Sequence, residues 1–329
     1  MAGYHSGETA AQQRAGLADQ AAFSLGGIGN SIPAVAADFL AAQPMIVIGG
    51  TDDRGRVWAS QLTGEPGFLK VPTPHTLTVD ALPLPGDPLA GLLADAVPGN
   101  PAHIGMLGIE PATRRRMRIN GRVVRRGREL RVDLDQVIAN CPKYIQKRHP
   151  HTLEPHGRDA GRRVTTPSTD TTPSTDTSAA TATATASTEL SPEQQRTLRE
   201  ADTFFVATAS DRGDADASHR GGNPGFVQVL SPTLLRWPDY AGNAMLLTLG
   251  NLELNASAGL FVPGWDTGGA LYVSGTARTL WDAEETSRIP GAQRIVEFAV
   301  ESVREITDAS PLRWSGPGYS RFNPPVVRA

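Results

Sequence analysis

The sequence predicts an all-β protein with helical additions, made of two tandem copies of one domain. Three observations support this. Residues 53–71 (DRGRVWASQLTGEPGFLKV) and 211–229 (DRGDADASHRGGNPGFVQV) align without a gap and agree at 10 of 19 positions, where chance gives about one or two. Short apolar runs alternate with Gly and Pro turns in both halves, which favours a barrel or sandwich over a doubly wound sheet. Between the halves, residues 162–191 repeat TTPSTD in tandem and then alternate Ala with Thr. With almost nothing apolar to bury, that stretch cannot offset its ordering entropy and is expected to be a disordered linker.

The elements follow in order. Apolar runs at 45–48 and 204–208 each precede an Asp-Arg-Gly turn and lead into 57–60 and 215–218, the signature of a hairpin. Further strands are expected at 76–80, 102–109 and 270–276. The repeat continues as IGMLGIEPATRRRMRINGRV (104–123) against AGLFVPGWDTGGALYVSGTA (258–277), sharing Gly105/Gly259 and Gly121/Gly275. It ends as LRVDLDQV (130–137) against VEFAVESV (296–303). The alternation of Leu130, Val132 and Leu134 with charged residues makes the first of these a half-buried strand. The second, which alone could pass for a helix, is assigned as a strand by its partner. Helices are expected at 8–22, 34–42 and 192–201, the last with Ser191 as N-cap. The domains are therefore 1–30, a helical extension; 31–150, a first barrel; 151–190, the linker; and 191–329, a second barrel.

Charged residues make up 20% of the chain and the formal net charge is −3, so no nucleic-acid partner is implied. Arg supplies nearly all the positive charge; Lys70, Lys143 and Lys147 are the lysines. A single cysteine, Cys141, allows no intrachain disulfide and fits a reducing cytosol. The N-terminus carries Glu8 and no apolar stretch suited to a signal peptide. No window reaches the roughly 18 apolar residues a spanning helix needs. A cytoplasmic protein without a membrane partner is expected.

Two segments carry candidate chemistry. In SHRGGNPGF, Ser218, His219, Arg220, Gly221 and Gly222 offer a hydroxyl, a guanidinium and unobstructed backbone N–H groups, the donors an anionic phosphate needs. The first copy has Leu62 in place of Arg220, so the fold itself does not require the charge. In NAMLLTLGNLELN, a strand at 245–247 is expected to deliver Thr248, Gly250 and Asn251 into the first turn of a helix, where free N–H groups favour an anion. The first half lacks this element too, so both phosphate elements occur together in one half. After the last strand of each half lies a cation beside an aromatic: Lys143–Tyr144 and Arg313–Trp314. Such a pair can stack on a flat ring. Cys141 is taken as structural and Arg114–Arg116 as a solvated basic edge. No dinucleotide fingerprint, P-loop, nucleophile elbow or metal-ligand spacing is present.

Together DRGRVWAS, GEPGF, RRRMRINGR and NCPKYIQKR in the first half, and SHRGGNPGF, TLGNLELN and PLRWSGPGYSRFNP in the second, resemble the pyridoxamine 5′-phosphate oxidase-like superfamily of FMN-binding split barrels, in its predicted flavin-nucleotide-binding branch. The resemblance implies two six-stranded Greek-key barrels forming an internal pseudo-dimer, with FMN where they meet. It places Ser218, Arg220 and Gly221 near the phosphate and Thr248 and Asn251 on the phosphate and ribityl chain. Lys143 and Tyr144 then approach from the other barrel, and Arg313 and Trp314 close over the isoalloxazine. Leu249-Gly250-Asn251 stands where true pyridoxamine phosphate oxidases carry Ser-Arg-Lys, which argues against a pyridoxal-type substrate. The function implied is an FMN-dependent oxidoreductase acting on a small molecule with an electron donor, as a monomeric pseudo-dimer or a homodimer. The alternative is a non-catalytic module binding a flavin, deazaflavin or haem. No residue stands out as a general acid or base, His219 being the nearest.

Overall fold

The computed structural model describes residues 3–139, 141–153 and 184–326. An N-terminal extension holds α1 (Ser6–Arg14), α2 (Ala18–Ser24) and β1 (Ile28–Gly29), and α3 (Ala34–Ala41) follows. The first sheet is built from β2 (Met45–Thr51), β3 (Val57–Thr63), β4 (Leu69–Thr73), β5 (Thr76–Val79), β6 (Ala102–Glu110), β7 (Arg115–Arg126) and β8 (Glu129–Ala139), with α4 (Ala90–Asp95) ahead of β6. Beyond β9 (Pro150–Leu153), β10 (Ala184–Ser187) and α5 (Pro192–Glu200), the same plan recurs. Its strands are β11 (Thr203–Ala209), β12 (Ala215–Gly221), β13 (Gln228–Ser231), β14 (Leu234–Tyr240), β15 (Ser257–Pro263), β16 (Ala270–Leu280) and β17 (Ala292–Ile306). Here α6 (Leu247–Leu254) precedes β15, α7 (Ala283–Ser287) precedes β17, and β18 (Leu312–Trp314) closes the series.

Both sheets are antiparallel and share one order: β3-β2-β6-β7-β8-β5-β4 and β12-β11-β15-β16-β17-β14-β13. In each, a strand returns from a long connection to lie beside the first, as in a Greek key. The chain is thus mostly β, with two split-barrel sheets. The register repeats as well. Ile48 pairs with Met106 as Val206 pairs with Leu260, and Leu77 with Val132 as Leu235 with Phe298. Residues 292–306 form a strand, as their alignment with 130–137 predicts.

The repeated residues have local physical reasons. At the hairpin turns Gly55 and Gly213 adopt φ of 77° and 85°, a region only glycine enters freely. Asp52 Oδ1 accepts from the backbone N–H of Arg54 and Arg56 at 2.9 Å, and Ser210 Oγ does the same for Arg212 and Asp214 at 3.2 Å. In Pro-Gly-Phe, the unusual dihedral falls on Gly67 and Gly225, while Phe68 and Phe226 are buried. Gly64 and Gly222 serve a different need: a Cβ on either would stand 2.6 Å from that phenylalanine ring.

The two barrels pack on each other through matching surfaces. Gly105 on β6 lies against β12, where an added Cβ would come within 2.4 Å of Asp216 Cα. Its counterpart Gly259 on β15 lies against β3, within 2.5 Å of Trp58 Cα. A Cβ on Gly49 would stand 2.6 Å from that of Ala207, its own equivalent, so the pseudo-twofold axis passes between them. One core cluster crosses this junction, joining Trp58, Met106 and Leu107 to Phe205, Phe261 and Tyr272.

Some elements depart from expectation. The helix expected at 8–22 breaks in two, because Gly16 takes φ 68° after the C-cap Ala15. Residues 245–247 form no strand; Ala244 and Leu246 are left-handed, at φ 63° and 53°, and the helix starts at Leu247. Ser191 caps α5 in a reciprocal capping box with Gln194. Most of the expected linker lies outside the described residues. Its C-terminal end does not stay free: Ala184–Ser187 pairs along β17, because β17 runs on past β14 and offers an open edge. Helix α1 of the extension, although early in the chain, packs on the second barrel, with a Cβ on Gly7 only 2.2 Å from the Gly250 carbonyl oxygen of α6, while β1 pairs with β8 of the first. Among the described residues, no helix is long and apolar enough to cross a membrane.

Gly259→Ala should destabilise the protein by about 1–3 kcal/mol through overpacking at the junction, because the atoms it meets are backbone. Gly26→Ala, in open space, should leave the thermal midpoint within about a degree. Paired melts check this; equal midpoints would show that the junction is not tight.

Candidate functional site

One cleft collects most of the expected phosphate residues. It encloses ≈ 900 Å³ of open space, including its solvent mouth, and is lined by Ser218, His219, Arg220 and Gly221 from β12 and by Leu246–Leu249 at the start of α6. Arg116 and Arg118 of β7 enter from the first barrel, as do Cys141, Lys143 and Tyr144. Asp239 and Tyr240 at the end of β14 complete the wall.

Strand alternation explains the cationic side. Arg116 and Arg118 are two apart on β7 and share a face, while Met117 and Ile119 turn into the core. Arg118 Nη2 donates to Ser218 Oγ, and its Nε lies 3.0 Å from Asp216 Oδ1. Thr248 Oγ1 is 3.3 Å from Ser218 Oγ and 3.4 Å from Asp216 Oδ2. Arg220 is 3.8 Å from Asp239, a carboxylate already held by Arg294 at 2.9 Å. Arg116 Nη1 meets His219 Nδ1 at 2.9 Å. The Nε atoms of Arg116 and Arg220 and the Nε2 of His219 are buried with no hydrogen-bond partner.

Crowding these groups has an electrostatic cost. Burial, then the neighbouring Arg220 and Arg118, lowers Arg116 from the usual guanidinium range to about 9. Burial also lowers Arg220, partly offset by Asp239. His219 falls well below its usual value, from burial and from Arg116, Arg220 and Arg148, so the imidazole is neutral. With Arg116 donating to Nδ1, the ring proton sits on Nε2. The start of α6 adds donors: Leu246 provides no side-chain cap, leaving the first-turn N–H groups without intrahelical acceptors. Three guanidiniums, unpartnered N–H groups and an uncapped helix start are what a phosphate dianion offsets. The site therefore fits the phosphate of the cofactor that the resemblance implies.

Backbone strain is concentrated here. Tyr144, Ala244 and Leu246 line the cleft in left-handed conformations, with φ of 67°, 63° and 53°, each costing on the order of 1–2 kcal/mol. Gly221 lets the crossing segment in, since a Cβ there would stand 2.1 Å from the Tyr144 carbonyl oxygen. The Tyr144 and Tyr240 rings pack at 5.1 Å, tilted by 35°, and give the cleft an aromatic side; burial raises Tyr240 to about 12.

Other expected residues lie elsewhere. Gly222 packs under Phe226. Gly250 is covered by Glu8 of α1, and Asn251 turns to Thr208 Oγ1 and His5 Nε2, both at 3.0 Å. Arg313 binds Asp308 at 2.7 Å, and Trp314 packs edge-on to Trp265 of the β15–β16 loop. Neither lines the cleft, because that loop holds their segment, its Gly268 and Trp265 carbonyls accepting from the Ser310 and Trp314 N–H groups. Arg116 is no solvated edge residue: it faces the cleft while Arg114 and Arg115 point away, Arg114 to the carbonyls of Ile145, Gly318 and Tyr319. Cys141, expected to be structural, lies on the cleft wall. Arg118, Asp239 and Tyr240 were not foreseen; the alternation in RMRI was the available signal for Arg118.

The equivalent place in the first barrel is filled. Ser60 corresponds to Ser218, and its Oγ donates to Asp87 Oδ2. Leu62 stands for Arg220, and the wholly buried Tyr272 stands for Arg118. Burial raises Asp87 to about 6 and Tyr272 well above 10. Side chains occupy the volume, and the one guanidinium that acts on Asp87, that of Arg304, lies over the Trp58 ring at 5.3 Å.

In ¹⁵N spectra His219 should show the neutral Nε2–H tautomer from pH 8 down to pH 6. An imidazolium signal at pH 6 would contradict the Arg116 contact.

No family model and no curated protein matches the chain. Solved structures do resemble it, each over about a third of its length. A candidate pyridoxamine 5′-phosphate oxidase from Lactobacillus delbrueckii is 20% identical over 35% of this chain and 93% of its own, at a TM-score of 0.29. An FMN-binding protein from Syntrophomonas wolfei is 11% identical over 34% and 84%, at 0.27. An FAD-binding protein from Mycobacterium smegmatis is 14% identical over 37% and 98%, also at 0.27. Each of these likenesses covers about a third of this chain and most of the solved one.

Proposed function

We propose that the cleft binds one FMN per chain and that the protein is a flavoprotein oxidoreductase acting on a small molecule. One observation supports this above the rest: Arg116, Arg118 and Arg220 converge with an uncapped helix start while two of their Nε atoms lack partners. Ser218, Arg220, Thr248 and the first turn of α6 would hold the phosphate. Tyr144 and Tyr240 offer an aromatic surface for the ring system, and Arg116 and Lys143 keep the cleft positive. A single chain supplies both walls, so a monomer suffices to build the site.

The bound flavin would supply the hydride and electron chemistry; the side chains bind, orient and exclude water. His219 is held neutral, and its Nε2–H can donate to a ligand acceptor without delivering a charge. The filled counterpart at Ser60, Asp87 and Tyr272 favours a stoichiometry of one.

Quenching of flavin fluorescence on titration tests this directly. FMN should bind more tightly than riboflavin, which lacks the phosphate, with saturation at one per chain. Arg220→Ala should weaken FMN binding by about tenfold to a hundredfold, the worth of a charge-assisted hydrogen bond, and leave riboflavin unaffected. Leu62→Ala, in the first core, should lower thermal stability and spare FMN affinity. Equal FMN affinity in wild type and Arg220→Ala would overturn the phosphate assignment, and a Soret band in the purified protein would replace flavin with haem.

A further inference from the structure

Phosphate binding by β12 and α6 does not by itself require a helix from the other end of the chain, yet α1 lies across α6 behind the cleft. The two helices cross so closely that a Cβ on Gly250 would stand 2.5 Å from Glu8 Cα. Gln12 Nε2 donates to the Met245 carbonyl at 2.8 Å, and Ser24 Oγ of α2 to the Asn243 carbonyl at 2.9 Å. The extension thus fastens the loop and the helix start that form one cleft wall. Glu8 is only 4% exposed, and its carboxylate feels Asp216 and Arg118, the pair that braces Ser218.

We propose that Glu8 is a positioning residue of the anion site: it shares the field of Arg118 with the bound phosphate, so that anion binding is coupled to protonation of this one buried carboxyl. The proposal rests on the phosphate assignment above.

The groups facing Glu8 leave it little compensation. On its own segment Tyr4 is close enough to be raised by it, and His5 accounts for a backbone N–H at 2.9 Å and an imidazole contact at 3.5 Å. Around the adjoining cavity, His103 of β6 is paired with Asp214 at 3.2 Å, and Arg122 of β7 with Asp135 of β8 at 3.5 Å. Asp214 as well as Asp216 acts on the Glu8 carboxyl, with Arg118 as the opposing guanidinium.

Burial is the main reason that Glu8 is raised from 4.5 to about 7, with Asp216 adding to it and the His5 N–H and Arg118 opposing. The sign follows from linkage. Below pH 7 the carboxyl is neutral and Arg118 is shared only with Asp216. Above it, Glu8 becomes an anion behind the phosphate site, repelling the ligand and competing for the same cation. Reciprocally, a bound phosphate should hold the proton on Glu8 to higher pH.

The test compares FMN affinity in wild type and Glu8→Gln between pH 6 and 8.5, read by flavin fluorescence. The phosphate's own ionisation is common to both proteins and cancels in their ratio. At pH 6 the two should bind alike. At pH 8.5 wild type should bind about three- to tenfold more weakly than Glu8→Gln, a coupling of about half to one pKa unit. Glutamine keeps an acceptor for the His5 N–H, and the ¹³C titration of the Glu8 carboxyl in wild type avoids mutation altogether: inorganic phosphate should raise its midpoint. Parallel pH profiles with binding intact, or an unmoved carboxyl midpoint, would overturn the coupling. Absence of FMN binding in both proteins at every pH would instead remove the phosphate site, and the coupling with it.

Discussion

The close approach of two sheets at Gly105 and Gly259 is the constraint on which the rest of the molecule depends. Each glycine lets a strand of one barrel lie on the backbone of the other, Gly105 against Asp216 and Gly259 against Trp58. The contact brings β7 within reach of β12, and only from there can Arg116 and Arg118 reach Ser218 and His219. A bulkier residue at either point would separate the strands and part the walls of the cleft. The junction is thus structural and functional at once, since the same packing that buries Phe205, Phe261 and Tyr272 assembles the cationic site.

Symmetry of backbone makes the asymmetry of side chains informative. Two places related by the pseudo-twofold share strand order, register and bulge position, so differences between them are differences of chemistry alone. In one, guanidiniums gather and depress each other's basicity; in the other, Tyr272 and Asp87 fill the volume and bond to Ser60. Arg118 and Tyr272 occupy equivalent positions of β7 and β16. The first barrel's equivalent place is filled, while Arg116, Arg118, Lys143 and Tyr144 from its half line the cleft of its neighbour.

Much of this was legible in the sequence because the chain supplies its own comparison. Strand pairing follows the offsets read from the repeat, and the strand at 292–306 was assigned through its partner rather than its own pattern. The contrast of Arg220 with Leu62 correctly pointed to the half that carries charge. What failed depended on long-range geometry. Arg313 and Trp314 are held away from the cleft by the β15–β16 loop, a tertiary contact that no local pattern announces. Asn251 has the composition of a phosphate ligand but lies on the α6 face that α1 covers. Arg116 looked like one of three solvated arginines, since which of them faces the cleft depends on where β7 begins.

The docking of α1 on α6 also orders events in time. Gly7 and Gly250 touch although 243 positions separate them in the chain. During synthesis α1 emerges long before α6, and its binding surface is made only after the whole first barrel, the intervening segment and much of the second have left the ribosome. Contacts of such high sequence separation form late and slowly. Until then, Gly7 and Gln12 have no partner to meet. A helix made long before its partner is therefore among the last to find its place, and the cleft gains its rear support only once α6 has formed.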